Sequence, residues 1–173
     1  MSRYQPPELL AGRHQLTGFR CRSQELTAWL VEMARQAHGS GTTRVFVVTE
    51  VDEPHVMACY AWCMGSVSIG DLPDRLKRGA GAGRYPQRVA LLARLGVDER
   101  HEGHGLGAAL LADVIARVAN LSEAIGCRDL LVHAESEQAR GFYEHLIPEW
   151  QRSPTDSLHL LLLLKDIRST LGR

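Results

Sequence analysis

The sequence predicts an α/β domain built on one mixed central sheet, and three patterns carry that expectation. Two apolar runs, Arg44 to Thr49 and His55 to about Ile69, flank Asp52-Glu53-Pro54, which suits a hairpin turn. Strand-like and helix-like periods then alternate from Val89 to Leu164. The chain has 173 residues, 45% of them hydrophobic and 23% charged, which is enough apolar material for one core and implies a single domain over 1–173. An antiparallel meander followed by β-α-β-α-β is the order these patterns describe.

Taken in order, residues 8–20 read as weak strand or turn. Ser23 opens an amphipathic helix in which Leu26, Trp29, Leu30, Met33 and Ala37 fall at helical spacing, with Gly39 as the stop. Trp29 reads equally as a core aromatic or as part of a partner surface. From Leu72 to Pro86 the chain carries Lys77-Arg78-Gly79-Ala80-Gly81-Ala82-Gly83-Arg84, which predicts a flexible basic loop at about 72–87. Val89 to Val97 resumes a strand. A helix from about Gly105 to Ile125 follows, with one apolar stripe through Leu106, Leu110, Leu111, Val114, Ile115, Val118, Leu121 and Ile125, and with Gly126 as its cap. Asp129 to Ala134 reads as a buried strand, Ser136 caps a helix to about Leu146, and Ser157 to Leu164 is the last strand.

Twenty Lys plus Arg balance twenty Asp plus Glu, so a strongly basic nucleic-acid domain is excluded as a global description, though a locally basic face is not. Cys21, Cys59, Cys63 and Cys127 contain no CxxC pair and read as free thiols, with no metal expected. Cys59 and Cys63, four apart in a strand, face one side. The N-terminal segment lacks the apolar core of a signal peptide, and the longest apolar run, Leu160 to Leu164, is too short to cross a bilayer. A cytoplasmic protein without membrane contact is the expectation.

The chemistry concentrates in Leu95-Gly96-Val97-Asp98-Glu99-Arg100-His101-Glu102-Gly103-His104-Gly105-Leu106-Gly107. A strand delivers the chain into a glycine-rich turn and a long helix follows, so unsatisfied N–H donors and the positive end of the helix dipole converge there. That arrangement is a pyrophosphate cradle, with Arg100 and His104 adding donors at its rim. The Gly-Lys-Ser/Thr of a Walker loop is absent. The glycine spacing is Gly103-x-Gly105-x-Gly107 rather than Gly-x-Gly-x-x-Gly, and Glu123 lies within the helix, so neither nucleotide fold fits.

Arg-x-x-Gly-x-Gly between a strand and a helix resembles the acetyl-CoA motif of the GNAT N-acetyltransferase superfamily. Phe142-Tyr143 stands in the next helix, where that superfamily places its Phe-Tyr pair. More narrowly, Phe19-x-Cys21, Leu26-x-x-Trp29-Leu30, Leu92 to Asp98, Val132-His133-Ala134 and Phe142-Tyr143-Glu144 resemble the acetyltransferase toxins of bacterial toxin–antitoxin pairs (the TacT and AtaT type). Leu146-Ile147-Pro148-Glu149-Trp150 departs from the Gly-Phe usual after that segment, which is expected to alter the end of the helix without touching the tyrosine. Gly96 replaces a commoner alanine, as suits a strand that widens to admit ligand.

The resemblance implies acetyl-CoA as co-substrate, held by Arg100, Gly103, His104, Gly105, Leu106 and Gly107, with the backbones of Leu95 and Val97 pairing the pantetheine arm. It also implies Tyr143 as the acid that protonates the departing thiolate. A phenol of pKa about 10 suits a thiolate of about 8.5, although from spacing alone Tyr143 could equally be a core aromatic. His133 admits two readings, a proton relay through water or a satisfied core histidine. His101 and His104 lie too near the cradle for base work.

Between Arg75 and Val97 the chain carries Arg75, Lys77, Arg78, Arg84, Arg88 and Arg94 with no acid, and a glycine-rich segment of that kind can follow a phosphate backbone. Arg94, inside a strand, stands apart from that surface. With the resemblance this points to a toxin that acetylates the α-amino group of aminoacyl-tRNA, with Arg75, Lys77, Arg78, Arg84 and Arg88 on the RNA. It implies a ribbon-helix-helix antitoxin, a homodimer, and DNA contact only through the antitoxin. Two other readings stay open: an acetyltransferase of a small amine or protein N-terminus, and a binding or co-repressor protein.

Overall fold

In the computed structural model, which describes residues 2–79 and 85–171, the backbone forms a seven-stranded sheet and six α-helices. The strands are β1 (Glu8–Leu9), β2 (Arg44–Thr49), β3 (Val56–Val67), β4 (Gln87–Val97), β5 (Asp129–His133), β6 (Gln151–Arg152) and β7 (His159–Leu163), in the order β1-β2-β3-β4-β5-β7-β6. The helices are α1 (Gln24–Glu32), α2 (Ala34–Ser40), α3 (Asp74–Lys77), α4 (Leu106–Ala124), α5 (Glu137–Leu146) and α6 (Leu164–Leu171). The mixed α/β sheet expected from the sequence is present. The chain divides into two compact units, Met1–Cys63 with Ala93–Val114, and Met64–Leu92 with Ile115–Arg173.

In the first unit β2 and β3 pair antiparallel, with Val45 opposite Ala61 and Val47 opposite Cys59, and β1 adds to β2. The strand period of two puts Val45, Val47, Cys59 and Ala61 on one face, where they form a core with Leu26, Leu30 and Ala34. On the other face Phe46 and Tyr60 stack at 4.9 Å, and the Tyr60 hydroxyl donates to Asp113 at 2.6 Å. Ser23 caps α1 by accepting from the Leu26 amide. The single helix expected over 23–39 is two helices. The backbone breaks at Met33 (φ −118°), which is exposed, and Ala34 rather than Met33 continues the buried row begun by Leu26 and Leu30. The stop is also not Gly39 but Gly41, at φ +79°. Trp29 packs against the core, with the Arg94 guanidinium 4.6 Å over its ring.

The second unit has β4 and β5 parallel, with Val89 opposite Asp129 and Leu92 opposite Val132, while β5 and β7 run antiparallel. Val67, Leu72, Leu76, Val89, Leu131 and Leu161 make its core cluster. This corrects the loop expected over 72–87, since Asp74–Lys77 is a helical turn that buries Leu76, and Leu72 is buried beside it. Those two leucines anchor the segment, which its glycines obscured in the sequence. Arg84 lies outside the described residues. Ile125 is exposed, so the α4 stripe ends before it, and Gly126 lacks the positive φ of a helix cap. Neither β6 nor α6 was expected. The last strand stops at Leu163 because Leu164 already starts α6.

Among the described residues no helix is long and apolar enough to cross a membrane, and no cluster of three His, Cys, Asp or Glu could hold a metal ion. All four cysteines are free, Cys21 and Cys59 buried and Cys63 and Cys127 half-buried.

Candidate active site

The cradle lies in the first unit, and a carboxylate that the sequence reading passed over organises it. Asp98, fully buried at the end of β4, accepts from the Arg100 amide and Nε (both 2.9 Å), from Arg100 Nη2 (3.0 Å) and from the Arg20 amide (3.1 Å). Burial alone would raise its pKa, but the Arg100 guanidinium and the two amides outweigh that and hold it at about 2. Its place at the junction of a buried strand and a glycine-rich turn, next to Glu99, was its only signal in the sequence. Arg100, expected as a free donor at the rim, is instead committed to Asp98 and to the Gly18 carbonyl at 3.3 Å. It shapes the turn.

Beyond it the chain turns at Gly103 (φ +79°) and Gly105 (φ +77°), a conformation costly for any residue with a Cβ. Nothing lies within 4 Å of where either Cβ would stand, so the space above the turn is open. The helical bond from Ala109 N–H reaches back to the Gly105 carbonyl at 3.0 Å, so the amides of the first α4 turn have no helical partner. Leu106 is buried and Gly107 half-buried, which leaves their backbones as the groups on offer, while His104 is exposed beside the turn. His101 is buried and bonded to the Tyr4 hydroxyl at 2.8 Å. Residues 103–107 thus form one turn with open space above its glycines, while Arg100 is held by Asp98 and Gly18.

Pairing of β4 with β5 stops at Leu92 opposite Val132, and β4 runs on through residues 93–97. Leu95 and Val97 are half-buried in that extension. Gly96 has a reason other than widening: a Cβ there would meet the Leu26 methyls at 3.1 and 3.2 Å and Cys21 Sγ at 3.4 Å. It lets α1 approach the strand.

Tyr143 lies in the second unit, on α5, which Ser136 caps by accepting from the Ala139 amide. The ring is buried, edge-on to Phe142 (5.2 Å) and to Trp150 (6.1 Å). The unusual segment after α5 therefore does touch the tyrosine, contrary to the expectation, because the chain turns back after Leu146. Burial, with a smaller push from Glu135, raises the phenol pKa well above the ordinary value of about 10 on which its match to a thiolate was based, so the hydroxyl is protonated at rest but is a weaker acid than the sequence implied. His133 ends β5 and stacks on His159 at 3.8 Å, but it is exposed, which removes the core-histidine reading. Desolvation and the neighbouring His159 lower its pKa, so the ring is neutral at physiological pH. His133 and His159 line a cavity of about 420 Å³ together with Ser66, Ser68, Asp71 and Ser153.

The expected RNA-contacting cations meet different fates. Arg75 is bidentate on Asp166 at 2.6 and 3.0 Å, and Lys77 lies 3.6 Å from Asp74. Arg78 and Arg88 line a second cavity. Arg94 sits at Trp29 and Glu25, apart from the others.

The acetyltransferase (GNAT) family profile matches residues 63–146. The chain is 38% identical, over 172 residues and 99% of both chains, to a Mycobacterium tuberculosis protein named tRNA-acetylating toxin. It belongs to the GNAT acetyltransferases. A Sinorhizobium fredii protein named probable toxin TacT is 31% identical over 92% of this chain and 91% of its own. Two solved structures share the fold: a KacT mutant (TM-score 0.89, 24% identity, 98% and 99% of the two chains) and AtaT complexed with acetyl-methionyl-tRNAfMet (TM-score 0.86, 23%, 97% and 99%).

Acetyl-CoA is the acetyl donor of a GNAT enzyme, and the cradle suits its pyrophosphate. Two left-handed glycines leave room for phosphates to approach the backbone, and the unpartnered α4 amides point positive dipoles at them.

Proposed function

We propose that this acetyltransferase transfers the acetyl group of acetyl-CoA to the α-amino group of aminoacyl-tRNA, and that it is the toxin of a type II toxin–antitoxin pair that blocks translation in the cytoplasm. The observation that carries the reading is the 38% identity, end to end, with a tRNA-acetylating toxin. The partners follow from that class: an antitoxin of the ribbon-helix-helix type, DNA only through it, and a second copy of this chain.

Acetyl-CoA supplies a thioester carbonyl. The neutral amine attacks that carbonyl, a C–N bond forms, the C–S bond breaks, and the amine gives its surplus proton to water. An α-amine with pKa about 7.7 is substantially neutral at cellular pH, so no dedicated base is required. In this reading the amides of Gly103, Gly105, Leu106 and Gly107 bind pyrophosphate and His104 adds a donor, while Arg100, fixed by Asp98, holds the turn. The backbones of Leu95 and Val97 hold the pantetheine arm, for which the β4 extension past Leu92 leaves an edge. Tyr143 donates its proton to the sulfur as the C–S bond breaks and takes one back from water, so the proton that the amine releases balances the one that the thiol gains. Arg78 and Arg88, with Lys77 and Arg84, contact RNA phosphates, and Arg75 contributes less because Asp166 already holds it.

Incubating the protein with radiolabelled acetyl-CoA and total charged tRNA tests the reading. Label should enter charged tRNA and be absent from deacylated tRNA. Label in free amines or protein N-termini with none in charged tRNA would replace it with the small-amine alternative. Growth arrest that survives Tyr143→Phe would favour a binding protein.

A further inference from the structure

His101 is a buried imidazole that acetyl transfer leaves unused, and it stands where the cradle begins. The four residues after it, 102–105, are exposed, and the next buried side chain is that of Leu106. Open space lies above Gly103 and Gly105, so the turn gains no packing on that side. Its position is therefore set where it is anchored. Asp98 anchors it at the strand, through Arg100. Arg22 pairs with Glu102 at an exposed position, where an ion pair contributes little. His101 is anchored from 97 residues away in the chain. Its Nδ1 and the Tyr4 hydroxyl are hydrogen-bonded at 2.8 Å, and the two rings meet edge-on with centroids 5.7 Å apart. The Tyr4 ring also lies 6.2 Å from that of His104, inside the turn.

Tyr4 is itself held independently of the cradle. Gln5 N–H donates to the Thr49 carbonyl at 2.8 Å, Val51 N–H donates to the Arg3 carbonyl at 3.1 Å, and Tyr4 bridges antiparallel to Glu50. Arg3 Nε and Nη2 donate to Glu50 Oε1 at 2.9 and 2.6 Å, and the same oxygen lies 3.5 Å from His101 Nδ1. Residues 3–5 thus lie as an extended segment along the end of β2. Backbone pairing fixes where the tyrosine stands, and its rigid ring passes that position on to His101.

We propose that Tyr4 is a positioning residue for acetyl-CoA: acting through His101, it holds the glycine turn so that the amides of residues 103–107 meet the pyrophosphate. The proposal rests on the assignment of the cradle to pyrophosphate and adds the N-terminal segment to it. Hydrogen bonds weaken steeply with misalignment, so a turn free to drift loses several phosphate contacts at once. A turn held in its bound conformation before the ligand arrives avoids the cost of ordering it.

Calorimetry of acetyl-CoA and of acetyl-3′-dephospho-CoA on the full chain tests this, with thermal melts of the unliganded protein alongside. Tyr4→Phe keeps the ring and removes the hydrogen bond. It should weaken both ligands equally, by about three- to tenfold, while the melting temperature falls by at most a few degrees. His101→Ala should weaken them at least as much, and adding Tyr4→Phe to it should change nothing further, because both act through one bond. Tyr4→Phe alone decides the matter if His101→Ala does not fold. In turnover with the acceptor that takes up label, KM for acetyl-CoA should rise by the same factor with kcat retained. Unchanged affinity in Tyr4→Phe, with binding abolished in Gly105→Glu, overturns the role of Tyr4 and leaves the cradle standing. Unchanged affinity in both overturns the cradle as well. A lowered melting temperature with unchanged affinity reduces Tyr4 to a structural residue. A loss seen with acetyl-CoA and absent with the dephospho ligand assigns Tyr4 to direct contact with the 3′-phosphate and overturns the positioning role.

Discussion

Tyr143 and Asp98 are opposite cases of one effect, burial acting on an ionisable group. The Tyr143 phenol has lost water and gained the Glu135 charge nearby, so its proton is held more firmly than in solution. Replacing it with phenylalanine keeps the packing on Phe142 and Trp150 and removes only the hydroxyl. Tyr143→Phe should therefore cut kcat by about 10²–10⁴-fold while acetyl-CoA affinity by calorimetry stays within about twofold; a wild-type rate would return the residue to the core. Asp98, fully buried, is held at about 2 by Arg100 and two amides. Its folded pKa lies below the unfolded one, so its contribution is present above pH about 4 and lost as pH falls towards 2. Asp98→Asn should lose about 2 kcal/mol at pH 7 and flatten the stability profile between pH 4 and 2, checked by urea unfolding at each pH. The place of Tyr143 in the helix after β5 was legible in the sequence, while its role is implied by the resemblance of Phe142-Tyr143. Its contact with Trp150 was not legible, because after α5 ends at Leu146 three irregular residues (147–149) bring the chain back and no period constrains where such a segment returns.

Among the elements, strands and caps were the most legible. Arg44–Thr49 has the bounds that its apolar run indicated, and Ser23 and Ser136 cap as their side chains allow. Where the structure departs, tertiary packing overrode local pattern: Ala34 took the buried place that Met33's hydrophobicity suggested, and Leu72 and Leu76 pinned a segment that reads as loop. The cradle depends on backbone conformation, so Gly105→Glu should abolish measurable acetyl-CoA binding in a folded protein. It forces a Cβ into φ +77° and sets a carboxylate among phosphates. Unchanged affinity by calorimetry would remove the cradle assignment. At the start of β5, Asp129 is fully buried, its carboxylate oxygens have no hydrogen-bond partner, and burial raises its pKa to about 6 despite the opposing charge of Arg128. A carboxyl raised in the folded state favours folding below pH about 4 and loses that contribution as pH rises through 6. Asp129→Asn should thus match the wild type near pH 4 and exceed it by about 2–3 kcal/mol at pH 8 in thermal or urea melts; a constant difference across pH would assign the gain to something other than ionisation.

At the scale of the whole molecule, zero net charge conceals the grouping of cations that bears on function. The segment from Arg75 to Arg88 announced itself by lacking acids. Arg128 and Lys165, which line the same cavity as Arg78 and Arg88, did not, because they are 40 and more residues away in sequence and reach it only through the pairing of β4, β5 and β7. The central claim, that charged tRNA is the acceptor, is tested most directly by the rate of acetyl transfer to charged tRNA and to the corresponding free amino acid, across a series of salt concentrations. The account predicts fast transfer to charged tRNA at low salt, a steep log–log decline reflecting several released counterions, and slow, salt-independent transfer to the free amine. Equal rates on both acceptors with no salt dependence would contradict it.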